Sequence, residues 1–269
     1  MKFILYIFIL IFVLYINNRE KKKIILVNKM DLNKSIVSCL TYNIQRLPYT
    51  LRNYPFFLEN INTDIICLQE YFKNIIKSRC DYLKQLNYNI CIPNSKLPYK
   101  WDSGLIILSK FKIKFIDLIP FINSKSIDKL SEKGFLVVKI RDIYVINTHL
   151  QANYDNSKYY ADIIKSQLKQ IENYIYRNLR DKTCLLLGDF NYNLKDIIWN
   201  KLSFKIITNN TNSNWDNEKY STKYKKYDNQ IGLNCDGGFL FGKKYKPLNI
   251  KNIDLDEYTD HLGVSFELV

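Results

Sequence analysis

The sequence predicts a single α/β domain built on a mixed β-sheet, most simply as two packed sheets. Short runs rich in Val, Ile and Leu alternate with helical stretches from Ser35 to Val269. No internal repeat occurs, and no Gly/Ser/Pro-rich linker divides the chain. The 269 residues, of which 47% are hydrophobic, suffice to bury a full core, which excludes a disordered or collagen-like protein.

Strands are predicted where a short apolar run is bounded by polar or turn-forming residues. A helix is predicted between the first two strands, with Pro55 near its start. The predicted strands, in order, are Ser35–Ile44, Asp64–Leu68, Gly104–Ser109, Phe135–Ile140, Ile143–Thr148, Thr183–Gly188, Gly238–Phe241 and Leu262–Leu268.

One long amphipathic helix is predicted before the strand that begins at Thr183. Its apolar residues recur at helical spacing, at Tyr160, Ile163, Ile164, Leu168, Ile171, Tyr174, Ile175 and Leu179. The stretch from Thr208 to Gln230 is polar, rich in Asn, Lys and Tyr, and has no clear period. It is therefore predicted to be a long surface loop.

The chain is strongly basic, with 40 Lys and Arg against 26 Asp and Glu and a net charge of +14. This charge favours a polyanion or an anionic membrane as partner, but Lys outnumbers Arg 33 to 7, so a solvated basic surface is an equal interpretation. The six cysteines form no C-x-x-C pair and no zinc-ligand spacing. Cys39, Cys67 and Cys184 fall in predicted strands, so buried thiols and a reducing compartment are expected.

The N-terminus contains fourteen uncharged apolar or aromatic residues, Phe3 to Ile16, followed by a basic cluster of Arg19 and Lys21 to Lys23. A spanning helix needs about 20 apolar residues and a signal-peptide core about 7–15, but no small-x-small cleavage site follows. Residues 1–23 are therefore predicted to be a retained membrane anchor. The basic cluster places the domain, residues 35–269, on the cytosolic side. A cleaved signal, with secretion, and a buried element of the domain are the alternatives.

Polar residues of catalytic type stand at the ends of several predicted strands, or at the starts of the late ones. One such residue is easily a turn residue, but the set includes both histidines of the chain. Its carboxylate and amide oxygens suit Mg²⁺ rather than zinc. Together with one metal, His, Asp and Asn supply what phosphoester hydrolysis needs: an activated water, a base, and positive charge on the oxygens. The set comprises Asn43, Glu70, His149, Asp189, Asn191, Asp236, Asp260 and His261.

These residues belong to motifs whose order, over residues 36–269, resembles the endonuclease/exonuclease/phosphatase superfamily. The resemblance implies an α/β (α+β) fold, a four-layered sandwich of two packed mixed β-sheets flanked by helices. It also implies phosphoester hydrolysis that depends on Mg²⁺, or on Mn²⁺ in its place. The motifs are Thr41-Tyr42-Asn43-Ile44, Leu68-Gln69-Glu70, Ser103-Gly104-Leu105, Asn147-Thr148-His149-Leu150, Gly188-Asp189-Phe190-Asn191, Asp236 and Thr259-Asp260-His261.

The resemblance assigns the metal side of the site to three residues. Glu70 would be the principal metal ligand, Asn43 would assist at the metal or phosphate, and Asp260 would support the metal side. Asp189 and Asn191 would position the nucleophilic water and the scissile phosphate.

The resemblance assigns proton transfer to the two histidines. His261 would be the general base, oriented by Asp236. His149 would stabilise the pentacoordinate phosphorus or protonate the leaving oxygen. Gly237-Gly238 depart from the aromatic or His residue that commonly follows the aspartate in the family, so the packing beside Asp236 is an open question.

Two further segments are similar to the neutral sphingomyelinase branch of the superfamily: Asp128–Phe135 followed by Asn147–Ala152, and Trp101–Leu105 followed by Leu108–Lys110. We therefore expect a sphingomyelinase-like phosphodiesterase with a phospholipid or membrane surface as partner. A nuclease acting on nucleic acid is the main alternative, followed by a phosphoinositide or other small-ester phosphatase. An inactive scaffold is least favoured because the catalytic residues are all retained. No motif indicates a protein partner.

Overall fold

The computed structural model describes residues 23–25, 34–46, 57–72, 82–83, 85–94, 101–154, 158–208, 234–255 and 259–269. The apolar run Phe3 to Ile16 and most of the predicted loop, residues 209–230, lie outside the described residues. Among the helices that are described, none combines the length and the apolar composition needed to cross a bilayer.

Strands dominate the described part of the chain. The helices there include short α1 (Phe57–Asn60), long α2 (Lys158–Asn178) and two 3-10 turns, Ser126–Leu130 and Leu194–Asp196, and Tyr82 and Leu83 are also helical. The strands are β1 (Lys23–Ile25), β2 (Val37–Arg46), β3 (Ile65–Tyr71), β4 (Asn89–Ile92), β5 (Ile106–Ser109), β6 (Ile113–Pro120), β7 (Gly134–Ile140), β8 (Ile143–His149), β9 (Thr183–Asp189), β10 (Phe204–Ile207), β11 (Asp236–Phe241), β12 (Pro247–Ile253) and β13 (Gly263–Leu268).

These strands form two sheets. The first has seven strands in the order β1-β4-β5-β3-β2-β13-β12, and the second has six in the order β10-β11-β9-β8-β7-β6. Each sheet contains one parallel pair, β2 with β3 and β8 with β9, and the other described pairs are antiparallel. Both sheets are therefore mixed, as predicted.

The two sheets pack face to face because alternate residues of each strand point to opposite sides. Cys39 and Cys67 of the first sheet meet Val145 and Leu185 of the second in one buried cluster. The outward residues of the first sheet pack on Leu58 of α1, and those of the second pack on the buried face of α2. The order helix, sheet, sheet, helix confirms the predicted four-layered sandwich.

The predicted interior strands are present, with ends shifted by up to three residues, and Cys39, Cys67 and Cys184 are buried thiols. Five described strands were not predicted: β1, β4, β6, β10 and β12. Four of them, all except β4, lie at sheet edges. Edge strands are half exposed and carry Lys and Asn among their apolar residues, so they lack the continuous apolar run of a central strand.

The glycines after Asp236 allow close backbone contact on both sides of β11. A Cβ on Gly238 would lie 1.9 Å from the Leu186 carbonyl oxygen of β9, and one on Gly237 would lie 2.3 Å from the Ile207 carbonyl oxygen of β10. The packing beside Asp236 is thus backbone against backbone, where the family commonly has a side chain.

We predict that Gly238→Ala destabilises the protein by about 1–3 kcal/mol, because the new methyl group must push β9 away from β11. Urea unfolding measures this loss. Gly263→Ala is the control, since its Cβ would meet only side-chain atoms, at 3.1 Å or more. Equal losses in the two variants would contradict the interpretation.

Candidate active site

Strand register brings the predicted catalytic residues to one end of the sandwich. In the parallel pair β2–β3, Asn43 lies opposite Gln69, and in the parallel pair β8–β9, His149 lies opposite Asp189. Strand β11 runs antiparallel to β9, so its first residue, Asp236, also lies opposite Asp189. A residue at the start of an antiparallel strand therefore meets residues at the ends of the parallel ones.

The side chain of Asn43 connects the two sheets at this end. Its Nδ2 donates to Glu70 Oε1 at 3.1 Å in the same sheet and to Asp189 Oδ2 at 2.9 Å in the other. The same nitrogen lies 3.5 Å from His261 Nε2. One buried amide thus holds two carboxylates and an imidazole at fixed positions.

A second amide contact lies beneath the first. Gln69 Nε2 donates to Asn147 Oδ1 at 2.7 Å, and Asn147 Nδ2 donates to the carbonyls of Leu68 and Ile106 at 2.8 and 3.0 Å. Both side chains are fully buried between the sheets. Neither residue was predicted to be functional, although a polar residue inside a buried strand is the signal that could have revealed this pair.

Glu70 adopts an unusual backbone conformation for a strand residue, with φ of 57°. The β2–β3 pairing is irregular between Asn43 and Arg46, and such bulges re-aim side chains at functional sites. Burial raises the pKa of Glu70 to about 7, against the opposing effects of His261, Asn43 and Lys133. Its Oε2 is buried and has no hydrogen-bond partner among the described residues.

His261 and Asp236 form a buried pair, with His261 Nδ1 at 2.6 Å from Asp236 Oδ2. Burial raises the pKa of Asp236 to about 6. Burial would lower the pKa of His261, but the Asp236 and Asp189 carboxylates raise it well above its usual value. The Thr259 hydroxyl, which donates to the Asn43 carbonyl at 2.8 Å and accepts from the His261 amide at 3.2 Å, fixes the loop that carries the histidine.

Cys235 lies against the His261–Asp236 pair. Ligand atoms of Cys235, Asp236 and His261 lie within 4.8 Å of one another, and the thiol donates to Asp236 Oδ2 at 3.5 Å. Burial and the neighbouring carboxylates raise the pKa of the thiol well above its usual value. With its thiol protonated, Cys235 joins Asp236 and His261 in a hydrogen-bonded cluster.

His149 is neutral in its surroundings. Burial, with Lys133 and His261, lowers its pKa well below the usual value. Lys133 Nζ lies 3.1 Å from His149 Nε2, 2.6 Å from the Leu150 carbonyl and 3.0 Å from Asp128 Oδ1. An ammonium group only donates hydrogen bonds, so His149 Nε2 accepts. Lys133 and Asp128 belong to a motif of the sequence but were not predicted to be part of the site.

The remaining predicted residues complete the cluster. Asp189 Oδ1 accepts from the Asn191 backbone amide at 2.9 Å, and the Asn191 side chain donates to the Leu150 carbonyl at 3.1 Å. Asp189 Oδ2 lies 3.5 Å from His149 Nε2, and Asp260 Oδ1 lies 3.8 Å from His261 Nε2. All eight residues named from the sequence therefore meet at one end of the sandwich, and their individual roles remain predictions.

Comparison with known proteins places this fold and site in a family. The sequence model of the Endonuclease/Exonuclease/phosphatase family matches residues 40–216. The chain belongs to this family. Its curated relatives include a sphingomyelinase of Dictyostelium discoideum, which is 29% identical in a 170-residue alignment that covers 48% of this chain and 37% of that protein. A phospholipase C of Staphylococcus aureus is 30% identical in a 141-residue alignment that covers 48% of this chain and 43% of the relative.

The matched part spans less than half the length of these curated relatives. Among solved structures, Staphylococcus aureus beta toxin with bound magnesium ions has a TM-score of 0.64 at 20% identity, covering 86% of this chain and 98% of the toxin. D. rerio TDP2 complexed with a single-strand DNA product has a TM-score of 0.65 at 17% identity, covering 88% and 100%. At these identities the likeness concerns the fold alone, and it confirms the Endonuclease/Exonuclease/phosphatase architecture.

We predict that the two histidines titrate far apart in the metal-free protein. His261 should hold its proton well above pH 6.5 and His149 should lose its proton well below it. Asp236→Asn should lower the pKa of His261, because it removes the carboxylate beside Nδ1. NMR titration of the imidazole Cε1–H signals measures both values, since the chain has only two histidines. An unchanged His261 pKa in Asp236→Asn would contradict the assignment.

Proposed function

We propose that the protein is a Mg²⁺-dependent phosphodiesterase of the sphingomyelinase type, which cleaves sphingomyelin to ceramide and phosphocholine. The observation that carries this proposal is the convergence of Asn43, Glu70 and Asp189 with the His261–Asp236 pair within hydrogen-bonding reach of one another. Relatives named sphingomyelinase and phospholipase C support the substrate class.

The donor set fits a hard divalent cation. Glu70 contributes a buried carboxylate oxygen that lacks a hydrogen bond from the described residues, and Asn43 and Asp260 would assist beside it. Oxygen ligands of this kind suit Mg²⁺. Bound there, the ion would offset charge on the phosphate and lower the pKa of a bound water.

Proton transfer from the attacking water falls to His261. Its Nδ1 is held by Asp236, so Nε2 faces Asp189 and the centre of the site. A base must be neutral to accept a proton, so activity should rise as pH increases through the pKa of His261. Asp236 would then stabilise the imidazolium that forms.

The opposite wall of the site supplies positive charge and hydrogen bonds to the phosphate. Lys133 lies buried beside His149, and Asn191 lies on the turn that follows β9. The Lys133 ammonium, which already donates to His149, Leu150 and Asp128, would act on the phosphate through its charge, and Asn191 would contact the phosphate oxygens as charge develops on them. Asp128, which is ion-paired with Lys133 at 3.0 Å, orients that ammonium group.

Lipid is favoured over nucleic acid because of the N-terminal apolar run. As a retained anchor on a cytosolic domain, Phe3 to Ile16 would bring the site to a lipid surface, and a nuclease has no evident use for it. Nuclease activity is the second candidate, since a net charge of +14 suits a phosphate backbone.

We predict that the wild-type protein hydrolyses sphingomyelin in micelles with Mg²⁺ and not with EDTA. His261→Ala should lower kcat by about 10²- to 10⁴-fold, because it removes the general base. The exposed Ile198→Ala is the control and should be unaffected. Plasmid nicking without lipid turnover would contradict the proposal and favour a nuclease, and activity on neither substrate would favour a scaffold.

We predict that Mg²⁺ raises the Tm more at pH 8 than at pH 6. The pKa of Glu70 is about 7 in the folded protein, above its ordinary value of 4.5, so the folded state binds more protons than the unfolded state between these values. Stability from this group therefore falls as pH rises through that window, and Mg²⁺ binding to the ionised carboxylate should restore it.

Thermal unfolding with and without Mg²⁺ measures this effect. Glu70→Gln should abolish the gain in Tm, whereas Asp181→Asn, in the exposed turn after α2, should retain it. The same gain in Glu70→Gln as in the wild type would exclude Glu70 as the principal ligand.

A further inference from the structure

The segment that joins β6 to β7 exposes aliphatic side chains on a well-anchored backbone. Ile122, Ile127 and Leu130 are 85%, 47% and 53% exposed. Side chains from elsewhere in the fold nevertheless fix the segment, because Gln170 accepts from the Ile122 amide at 3.1 Å and Gln151 accepts from the Lys125 amide at 2.8 Å. A fixed backbone that presents apolar groups to solvent is typical of a contact surface.

Charge on this surface is positive. The exposed charged residues of the segment are Lys125 and Lys129, whereas its two acids, Asp128 and Glu132, are buried, Asp128 in an ion pair with Lys133. Lys125 Nζ lies 6.0 Å from the ring centre of Tyr159 at the start of α2, which is itself 52% exposed. The adjoining helix, residues 158–170, adds three exposed lysines and the single exposed acid Asp162.

The segment lies at the active-site end of the sandwich. It connects Pro120, at the end of β6, to Gly134, at the start of β7, and these two residues are paired. The next residue of β7, Phe135, pairs with Thr148, directly before His149. The ion pair of Asp128 with Lys133 links the segment to that histidine.

The N-terminal part of the chain joins the fold at the same end. Asn89 of β4 and Ile65 of β3 both lie opposite Ser109 of β5, so β4 runs in the direction of β3 and its last residue, Ile92, lies toward the site. Lys23, the first residue of β1, pairs with Ile92. The basic cluster and the apolar run Phe3 to Ile16 therefore precede a strand that begins at the active-site end.

We propose that a docking surface on this segment contacts an anionic phospholipid bilayer and holds the mouth of the active site against it. The docking surface comprises Ile122, Lys125, Ile127, Lys129, Leu130 and Tyr159. Exposed aliphatic groups with neighbouring lysines suit the interface of such a bilayer, where the aliphatic groups contact acyl chains and the lysines contact anionic headgroups. The phosphate backbone of a nucleic acid would leave the aliphatic groups without an apolar partner. This inference rests on the proposed function, because a docking surface for lipid is useful only if the substrate lies in a membrane.

Fluorescence quenching locates the membrane contact without any need for activity. Leu130→Trp in the full chain should be quenched by phosphatidylserine/phosphatidylcholine vesicles whose acyl chains carry bromine, relative to unbrominated vesicles. Ile36→Trp is the control, because Ile36 is 47% exposed and precedes β2 at the opposite end of the sandwich. Equal quenching of both variants, quenching of Ile36→Trp alone, or quenching of neither would overturn the docking surface.

A charge-reversal pair tests the electrostatic contribution. Lys125→Glu/Lys129→Glu should lower hydrolysis of sphingomyelin in phosphatidylserine vesicles by at least about tenfold and leave hydrolysis of a water-soluble phosphodiester unchanged. The control, Lys112→Glu/Lys114→Glu, changes two exposed lysines near the start of β6, at the far end, and should affect neither.

The two proposals fail in different ways. A loss of turnover on both substrates in Lys125→Glu/Lys129→Glu would overturn the docking surface, because it would indicate damage to the site itself. A change in the fluorescence of Leu130→Trp when a DNA oligonucleotide is added, with no quenching by brominated lipid, would overturn the docking surface in favour of a nucleic-acid contact. A wild-type protein that cleaves neither substrate would end the proposed function, while the quenching result would still decide the docking surface.

Discussion

The hydrogen bond between the buried amides of Gln69 and Asn147 sets the position of one sheet against the other directly beneath the active site. Apolar contacts between sheets are not directional and tolerate small slides. A buried amide that loses its partner, in contrast, costs about 1–3 kcal/mol. Glu70 directly follows Gln69, and His149 lies two positions after Asn147. The Gln69–Asn147 hydrogen bond therefore helps to set the distance between these two site residues.

Above this contact, acidic groups outnumber cations. Glu70, Asp189, Asp236 and Asp260 converge at the site, and the described cationic partners within reach are Lys133 and, when protonated, His261. Buried carboxylates resist ionisation unless positive charge compensates them, which is why the pKa values of Glu70 and Asp236 rise to about 7 and about 6. This imbalance supports a divalent cation at Glu70. His261, whose pKa is raised, must lose its proton before it can act as the base, whereas His149 is neutral and can donate or accept a hydrogen bond.

The sequence sufficed for the central strands, the long helix and the convergence of the eight candidate residues, whose roles remain predictions, because buried strands are continuously apolar and the motifs stand where those strands end. It did not suffice for the edge strands, because polar residues interrupt the apolar run by which a strand is recognised. Contacts such as Gln69 with Asn147, 78 residues apart, or Lys133 with His149, depend on sheet packing that no local pattern records. The N-terminal anchor and the domain limits remain predictions, because residues 1–22 lie outside the described structure.

The irregular edge strand β12 also bears on how copies of the protein behave at high concentration. Its pairing with β13 shifts register between Leu248 and Lys251, Asn249 has φ of 53°, and Pro247 offers no amide hydrogen at its first position. A flat, regular edge is a template for a strand from another molecule. The bulge, the proline and Lys251 make β12 a poor template. This edge therefore disfavours aggregation by pairing with strands of other molecules.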